Sequence, residues 1–256
     1  GVQTCALPIW KLLLFCLAAV LLPGAVAKGE TMKSAGTEPL PYRQFVTNSD
    51  QRGGYALVLF LHGAGERGND NEAQLRHGYR ELLAYCEKNK IKAVLLFPQC
   101  PAGKQWVDEP WNALRHTMHE TPSAPLAAAM KLLNLKEAEF KPDRLYVAGI
   151  SMGGYGTWDL ISRQPDRFAA ALPICGGGDV AQAPKLVKLP ILAVHGSADV
   201  TVPVSRSRDM VRAIWNAGGS QIIYQELPEV GHGSWGPAFG NTNTWKWLFS
   251  QPKPQK

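Results

Sequence analysis

The stretch of this chain with the clearest chemical potential is 149–154, which reads Gly-Ile-Ser-Met-Gly-Gly. It contains the pattern G-x-S-x-G, follows the apolar run 145–148 and precedes a segment of helical character, 155–162. In a tight turn between a strand and a helix, flanking glycines avoid collisions and the serine hydroxyl stands clear of the sheet. The helix N-terminus also favours developing negative charge. The pattern predicts Ser151 as a nucleophile, although it also occurs in ordinary glycine-rich turns.

A nucleophilic serine needs a base, and the base needs an orienting carboxylate. Downstream of Ser151, Asp199 follows the predicted strand 191–195, and His232 lies between two glycines after the predicted strand 221–227. The order serine, acid, histidine is the one found on α/β-hydrolase sheets. We therefore predict that Ser151, Asp199 and His232 form a catalytic triad.

Other residues compete for these roles. Asp179 follows a glycine run after the predicted strand 169–174 and is an alternative acid, whereas Asp159 lies within the helix after the serine and points elsewhere. His195 ends a strand, which is typical of a core histidine with satisfied hydrogen bonds. His116 and His119 lie in a polar connection, where no carboxylate cluster supports a metal site.

Acyl transfer also needs hydrogen-bond donors for the tetrahedral oxyanion. One donor is predicted to be the backbone N–H of Met152, directly after the serine. The other is expected from the loop after the predicted strand 55–61, which reads His62-Gly-Ala64-Gly and is similar to the H-G-G-G type. Ala64 is the predicted donor and Gly63 the alternative, while His62 is expected to brace the loop through hydrogen bonds.

The elements that must position these residues alternate along the chain. Continuous apolar runs, as strands buried on both faces require, alternate with helical segments, and this order predicts an α/β fold with a mostly parallel sheet flanked by helices on both faces. Sites in such sheets lie at the carboxyl ends of the strands. The predicted strands are 55–61, 93–97, 145–150, 169–174, 191–195 and 221–227, with an early edge strand at 42–47 after a polar leader, 28–41. The predicted helices are 71–90, 123–135, 154–164, 204–217 and 242–249.

Composition sets the broad class. The chain has 256 residues, of which 45% are hydrophobic and 19% charged, as in an ordinary globular protein, and its net charge is +6. The basic residues are scattered rather than clustered, so nucleic-acid binding is not expected. No linker divides the chain, which predicts a single domain over 28–256.

The first 27 residues have the pattern of a secretory signal. Lys11 precedes the apolar run 12–22, and Ala25-Val-Ala27 is an A-x-A cleavage site. The run is short for a bilayer span, so a membrane anchor is the less favoured alternative. Residues 1–9 resemble a translated sequencing adapter. We therefore expect a signal peptide over 1–27 and a secreted or periplasmic location without membrane association after cleavage.

Three cysteines remain beyond the signal segment: Cys86, Cys100 and Cys175. An odd number cannot pair completely, so one disulfide is possible in an oxidising compartment. The pair Cys100 and Cys175 is favoured because both follow predicted strands, and buried free thiols are equally compatible. Their spacing does not indicate a metal site.

Six stretches of the chain carry a family resemblance: FLHGAGERGND at 60–70, FPQCP at 97–101, PDRLYVAGISMGGYGTW at 142–158, PICGGGD at 173–179, HGSAD at 195–199 and GHGSW at 231–235. The chain resembles the α/β-hydrolase superfamily in its carboxylesterase/feruloyl-esterase-like branch. These are secreted bacterial proteins of the phospholipase/carboxylesterase or predicted-peptidase type. The resemblance spans about 40–250, implies the α/β-hydrolase fold and maps the triad onto Ser151, Asp199 and His232.

The substrate expectation rests on three aromatic residues near the predicted site. Trp106 and Trp235 are predicted to line a cleft, because their loops should border Ser151, whereas Trp111 is expected to cap the core. Since no large insertion suggests a lid, a small or polysaccharide-linked ester of feruloyl or acetyl type is favoured over long-chain lipid. No metal or organic cofactor is expected.

Two other classes of function remain open. One is a serine peptidase of prolyl-oligopeptidase type, although such proteins usually carry a propeller domain. The other is a non-catalytic binding protein on a hydrolase scaffold, against which a complete set of triad residues argues.

Overall fold

Eight strands form one twisted sheet at the centre of the protein, and a computed structural model describes residues 28–32 and 40–252. The strands are β1 Lys28–Met32, β2 Leu40–Thr47, β3 Ala56–Leu61, β4 Ala93–Pro98, β5 Arg144–Ile150, β6 Ala170–Ile174, β7 Ile191–Gly196 and β8 Ile222–Leu227. Their order is β1-β2-β4-β3-β5-β6-β7-β8. All neighbours from β4 to β8 pair in parallel, while β2 is antiparallel to β1 and β4. The expected mostly parallel α/β-hydrolase sheet is confirmed.

Helices cover both faces of this sheet. They are α1 Tyr79–Lys88, α2 Ala124–Phe140, α3 Met152–Arg163, α4 Ser205–Asn216, α5 Trp235–Gly240 and α6 Thr242–Ser250. In β3, Leu57 and Leu59 pack into the core shared with α2, α3 and α4, whereas Val58 and Phe60 pack into the core shared with α1, α5 and α6. Because successive strand side chains point to opposite faces, a continuous apolar run fills both cores.

Three expectations for the amino-terminal part of the domain were wrong. Residues 28–32 form strand β1 rather than a polar leader, and β2 is therefore an interior strand rather than an edge strand. Because β1 pairs with β2 through backbone groups, the hydrophobic pattern of the sequence does not predict this pairing. The predicted helix 71–90 begins only at Tyr79, because Asn71 and Gly78 have φ of 55° and 77° and interrupt it.

The other predicted strands and helices agree with the structure to within two residues at each end, except that helix α2 continues to Phe140 instead of ending at 135, and one helix was added. Helix α5 was not predicted, since Gly236 and Pro237 are weak helix formers. Within the described part of the chain, no helix is both long and apolar enough to cross a bilayer. The predicted signal peptide over 1–27 lies outside the described residues.

The favoured disulfide was also wrong. Cys86, Cys100 and Cys175 are all free and buried. Cys100 follows β4 and Cys175 follows β6, and two strands lie between these in the sheet. Three strand spacings amount to roughly 14 Å, twice the Cα separation of about 7 Å that a disulfide tolerates.

Candidate active site

Ser151 lies in a strained turn between β5 and α3. Its φ and ψ are 52° and −118°, a backbone conformation that non-glycine residues rarely adopt, and its amide donates to the carbonyl of Ile174. A Cβ on Gly149 would lie 2.2 Å from the Gly153 oxygen, and one on Gly153 would lie 1.9 Å from the Leu61 oxygen. Glycine at both positions is therefore required for α3 to approach the sheet, and this approach presents the serine at the sheet edge.

The histidine and the acid predicted from the sequence both reach this serine. Oγ of Ser151 lies 2.8 Å from Nε2 of His232, and Nδ1 of His232 lies 2.7 Å from Oδ2 of Asp199. The three residues follow β5, β8 and β7, whose carboxyl ends meet at one sheet edge. The arrangement can pass a proton from the serine hydroxyl to the imidazole, while the carboxylate holds the imidazole tautomer.

Asp199 is a fully enclosed carboxylate with four donors around it. Burial by itself would raise the pKa of Asp199, but hydrogen bonds from His195, His232 and two backbone amides hold that pKa well below its usual range. Its Oδ1 accepts the amides of Thr201 and Val202, each at 2.9 Å. The side chain therefore stays ionised at all ordinary pH values, with Oδ2 directed at His232.

His195 has a second role beside its predicted place in the core. It is completely buried, and its Nδ1 lies 2.8 Å from the Ser207 hydroxyl, as expected for a satisfied core histidine. Its Nε2 lies 3.0 Å from the carbonyl of Val202 and 3.3 Å from Oδ2 of Asp199. His195 therefore contacts the same carboxylate oxygen of Asp199 as His232 does, a contact that no sequence pattern indicated.

The loop after β3 lies beside the serine, as predicted for an oxyanion-binding loop. The position of a Cβ on Gly63 is 3.6 Å from Cβ of Ser151. Ala64 begins the short 3₁₀ helix Ala64–Glu66, and Met152 begins α3, so neither amide has an acceptor within its own helix. Both N–H groups are available for an oxyanion. The choice of Met152 with Ala64 rather than Gly63 stays a prediction.

His62 braces this loop from below. Its Nε2 accepts the amide of Cys100 at 2.8 Å, so Nδ1 carries the proton and donates to the Gly63 carbonyl at 2.6 Å. Burial lowers the pKa of His62 to about 4, although the Gly63 hydrogen bond partly opposes that shift. The side chain is therefore neutral at pH 7 and serves the loop rather than proton transfer.

A pH-dependent stability follows from His62. Its folded pKa lies below the unfolded value, so its contribution is complete above about pH 6.5 and is lost as the pH falls towards 4. We expect this loss to reach about 3 kcal/mol of unfolding free energy. Urea unfolding at pH 7, 5.5 and 4.5 measures it. His62→Gln, which can still accept from Cys100, should lose less stability between these values, whereas the exposed His119→Asn should behave like the wild type. Identical slopes for all three proteins would contradict the assignment.

Of the two predicted cleft tryptophans, only Trp235 lies at the site. Trp106 has no exposed surface, packs in the core against Gly156 and donates Nε1–H to the His62 carbonyl. Its prediction as a cleft residue was wrong, because the loop after β4 turns inward and buries the ring under the oxyanion loop. Trp235 is half-buried, with its ring 5.3 Å from that of His232. Trp111 is half-buried at the core margin.

The connection between β4 and α2, residues 99–123, was not predicted as a structural feature. It contains no helix or strand. Side chains from the rest of the protein form hydrogen bonds with its backbone. Tyr155 donates to the Trp111 carbonyl, Arg206 to the Leu114 carbonyl, and Asp179 accepts the Met118 amide. The connection is therefore held by α3, by α4 and by the loop that carries Asp179.

These contacts also decide the alternatives for the acid. Asp179 accepts the amides of Met118 and Ala181, and Asp159 pairs with Arg163. Both carboxylates are engaged away from His232. Of the other histidines, His116 is buried against Tyr155 and His119 lies 3.4 Å from Glu109.

Two residues at the site escaped the sequence analysis, Glu66 and His77. Glu66 is buried, with Oε1 3.7 Å from Nε2 of His77. The ring of His77 lies 5.3 Å from that of Trp235, which in turn contacts His232. The available signal was an acidic residue in the glycine-rich loop 62–68, two residues after the predicted oxyanion donor.

Among the described residues, one group has the composition of a metal site. Its members are Cys175, Asp199 and His232, whose potential ligand atoms lie within 4.8 Å of one another. Both imidazole nitrogens of His232 are already engaged, one with Ser151 and one with Asp199. This pairing supports a hydrogen-bonded role for these side chains rather than metal ligation.

The fold is that of an α/β-hydrolase. Residues 102–236, more than half of the chain, match the model of the dienelactone hydrolase family. The chain belongs to the dienelactone hydrolase family, which confirms the expected superfamily.

Three similar proteins illustrate the relationship. A thermostable esterase of known crystal structure superposes with a TM-score of 0.77 at 36% identity, covering 88% of this chain and 63% of that one. An uncharacterized secreted protein of Arthroderma benhamiae is 23% identical to this chain. The alignment covers 83% of this chain and 24% of the Arthroderma protein. Esterase LipC of Mycobacterium tuberculosis is 38% identical over an alignment that covers 28% of this chain and 16% of LipC. The chain thus spans less than two thirds of each of these relatives.

Proposed function

We propose that this protein is a serine ester hydrolase in which Ser151 is the nucleophile, His232 the base and Asp199 the orienting acid. The continuous path from Oγ of Ser151 to Oδ2 of Asp199, with hydrogen-bond distances of 2.8 and 2.7 Å, carries the proposal. Membership of the dienelactone hydrolase family and the similarity to a thermostable esterase support it.

The reaction proceeds by acyl transfer in two steps. His232 takes the proton of Ser151 as the hydroxyl attacks the ester carbonyl, and the amides of Met152 and Ala64 stabilise the oxyanion. The protonated imidazole then gives its proton to the departing alcohol. In the second step His232 activates water, which hydrolyses the acyl-enzyme. Asp199 remains ionised throughout and stabilises the imidazolium.

The substrate class proposed is a small or polysaccharide-linked ester, of feruloyl or acetyl type. Trp235 beside His232 supports it, since an aromatic wall suits a sugar or phenyl ring. A secreted relative supports a secreted or periplasmic location, with 1–27 as signal peptide and 28–256 as one catalytic domain.

A matched substrate panel tests this function. We expect turnover of p-nitrophenyl esters, from acetyl to octanoyl and including feruloyl, at rates at least about 100-fold above those of the corresponding peptide p-nitroanilides. A fluorophosphonate probe should label Ser151, as peptide mass spectrometry can verify. Faster anilide cleavage would favour a serine peptidase, and folded protein that neither turns over esters nor takes the label would favour a binding module.

A further inference from the structure

Glu66 is a buried carboxylate that the proposed reaction does not use. Its side chain is 7% exposed, at the end of the 3₁₀ helix that the oxyanion loop enters. Oε1 lies 3.6 Å from Nη1 of Arg76 and 3.7 Å from Nε2 of His77, both longer than a hydrogen bond. Within the described residues, neither oxygen of Glu66 accepts a hydrogen bond. Neither oxygen is among the described side-chain atoms that are fully enclosed and without a partner, so the carboxylate keeps an opening to solvent through which a donor can reach it.

The second oxygen of Glu66 lies beside Gly63, the residue that also borders the serine. The position of a Cβ on Gly63 lies 3.0 Å from Oε2 of Glu66 and 3.6 Å from Cβ of Ser151. Because Gly63 has no side chain, the gap between the carboxylate and the serine stays open on that side. His77 and Trp235 continue the same wall as far as His232. Since both distances are measured from the same point, Oε2 of Glu66 lies no more than about 7 Å from Cβ of Ser151, a separation that a group next to the ester carbonyl can span.

We propose that Oε2 of Glu66 accepts a hydrogen bond from a hydroxyl group of the substrate, which makes the preferred substrates esters of hydroxy acids or of polyols. This inference rests on the proposed ester hydrolysis at Ser151. A hydroxyl supplies the missing donor, and hydrogen bonds to an ionised acceptor are about twice as strong as neutral ones. The same charge repels substrates that carry a carboxylate, and the exposed Arg76, 3.6 Å from Oε1, only partly offsets it.

Matched esters that differ by one hydroxyl test the proposal. Ethyl lactate is compared with ethyl propionate, ethyl 3-hydroxybutyrate with ethyl butyrate, and glycerol monobutyrate with propyl butyrate, with kcat/KM measured by pH-stat titration. The wild type should prefer the hydroxylated member of at least one pair, and the pair identifies the acyl or the alcohol side. Glu66→Gln should reduce that preference about tenfold, equivalent to the loss of charge assistance. It should also raise kcat/KM for monoethyl succinate relative to ethyl butyrate.

Controls separate this role from a structural one. Glu87→Gln makes the same charge change on the exposed end of α1 and should leave every ratio unchanged. If Glu66→Gln does not fold, Glu66→Asp is the second variant. It keeps the negative charge but places it one methylene further from the substrate, so it should reduce the hydroxyl preference in part. Absence of a hydroxyl preference in the wild type, or an equal effect of Glu66→Gln on both members of every pair, overturns the proposal. Absence of Ser151-dependent ester turnover in the wild type would instead refute the proposed function.

Discussion

Replacing Ser151 with alanine is expected to lower kcat for p-nitrophenyl acetate by about 10⁴-fold or more, with little change in KM. The methyl group cannot attack the carbonyl, and the remaining groups retain only the modest catalysis of the oxyanion site. The fall should be nearly as large as that for the triple variant of Ser151, Asp199 and His232, because the members of such a triad act as a unit.

Ser162→Ala is the matched control. Ser162 lies in the same helix, α3, and its hydroxyl donates to the Trp158 carbonyl rather than to the site. It should keep kcat within about threefold of the wild type. Ser151→Ala should also escape the fluorophosphonate label while unfolding at an unchanged temperature. A kcat for Ser151→Ala within tenfold of the wild type would remove the serine from the mechanism.

Asp199→Asn is expected to cost about 10³- to 10⁴-fold in kcat, without removing any side chain from the site. The amides of Thr201 and Val202 hold Oδ1 of the acid, so an asparagine oxygen should take that position and direct its NH₂ group at His232. The imidazole would then accept at Nδ1 and carry its proton on Nε2. In that tautomer Nε2 cannot accept the proton of Ser151.

The measurement is the kcat of this variant across pH 6 to 10, with thermal unfolding alongside. Asp179→Asn supplies the comparison, because Asp179 was the alternative acid and its carboxylate binds the Met118 and Ala181 amides instead. It should retain most of the activity. A large loss of kcat for Asp179→Asn together with a small loss for Asp199→Asn would show that Asp179, and not Asp199, is the acid.

The carboxyl-end loops of the sheet could be predicted with unequal success. Their nucleophile, acid and base candidates came from short local patterns, and the structure brings all three together because parallel strands present their carboxyl ends on one edge. The catalytic roles of these residues stay predictions. Where a loop turns inward, as at Trp106, composition gave no guide, since an aromatic residue suits both a cleft and a core.

The hydrophobic pattern located nearly all strands and helices in the chain, but it did not predict which strands are neighbours in the sheet. It placed β2 in the right segment and at the wrong position in the sheet, because the pairing partner β1 makes backbone contacts that side-chain alternation does not encode. The same limitation produced the incorrect pairing of Cys100 with Cys175. Each cysteine follows a predicted strand, but the sequence does not show how many strands separate those two in the sheet.

What the sequence by itself determined is therefore the α/β alternation, the serine turn and the order of the candidate triad, because each depends on residues adjacent in the chain. The tertiary structure alone decided that Trp106 is buried, that His195 contacts Asp199 and that Glu66 and Ser151 both border Gly63. These three facts depend on contacts between segments far apart in the chain, whose distances are set by the packing of the whole sheet and its helices.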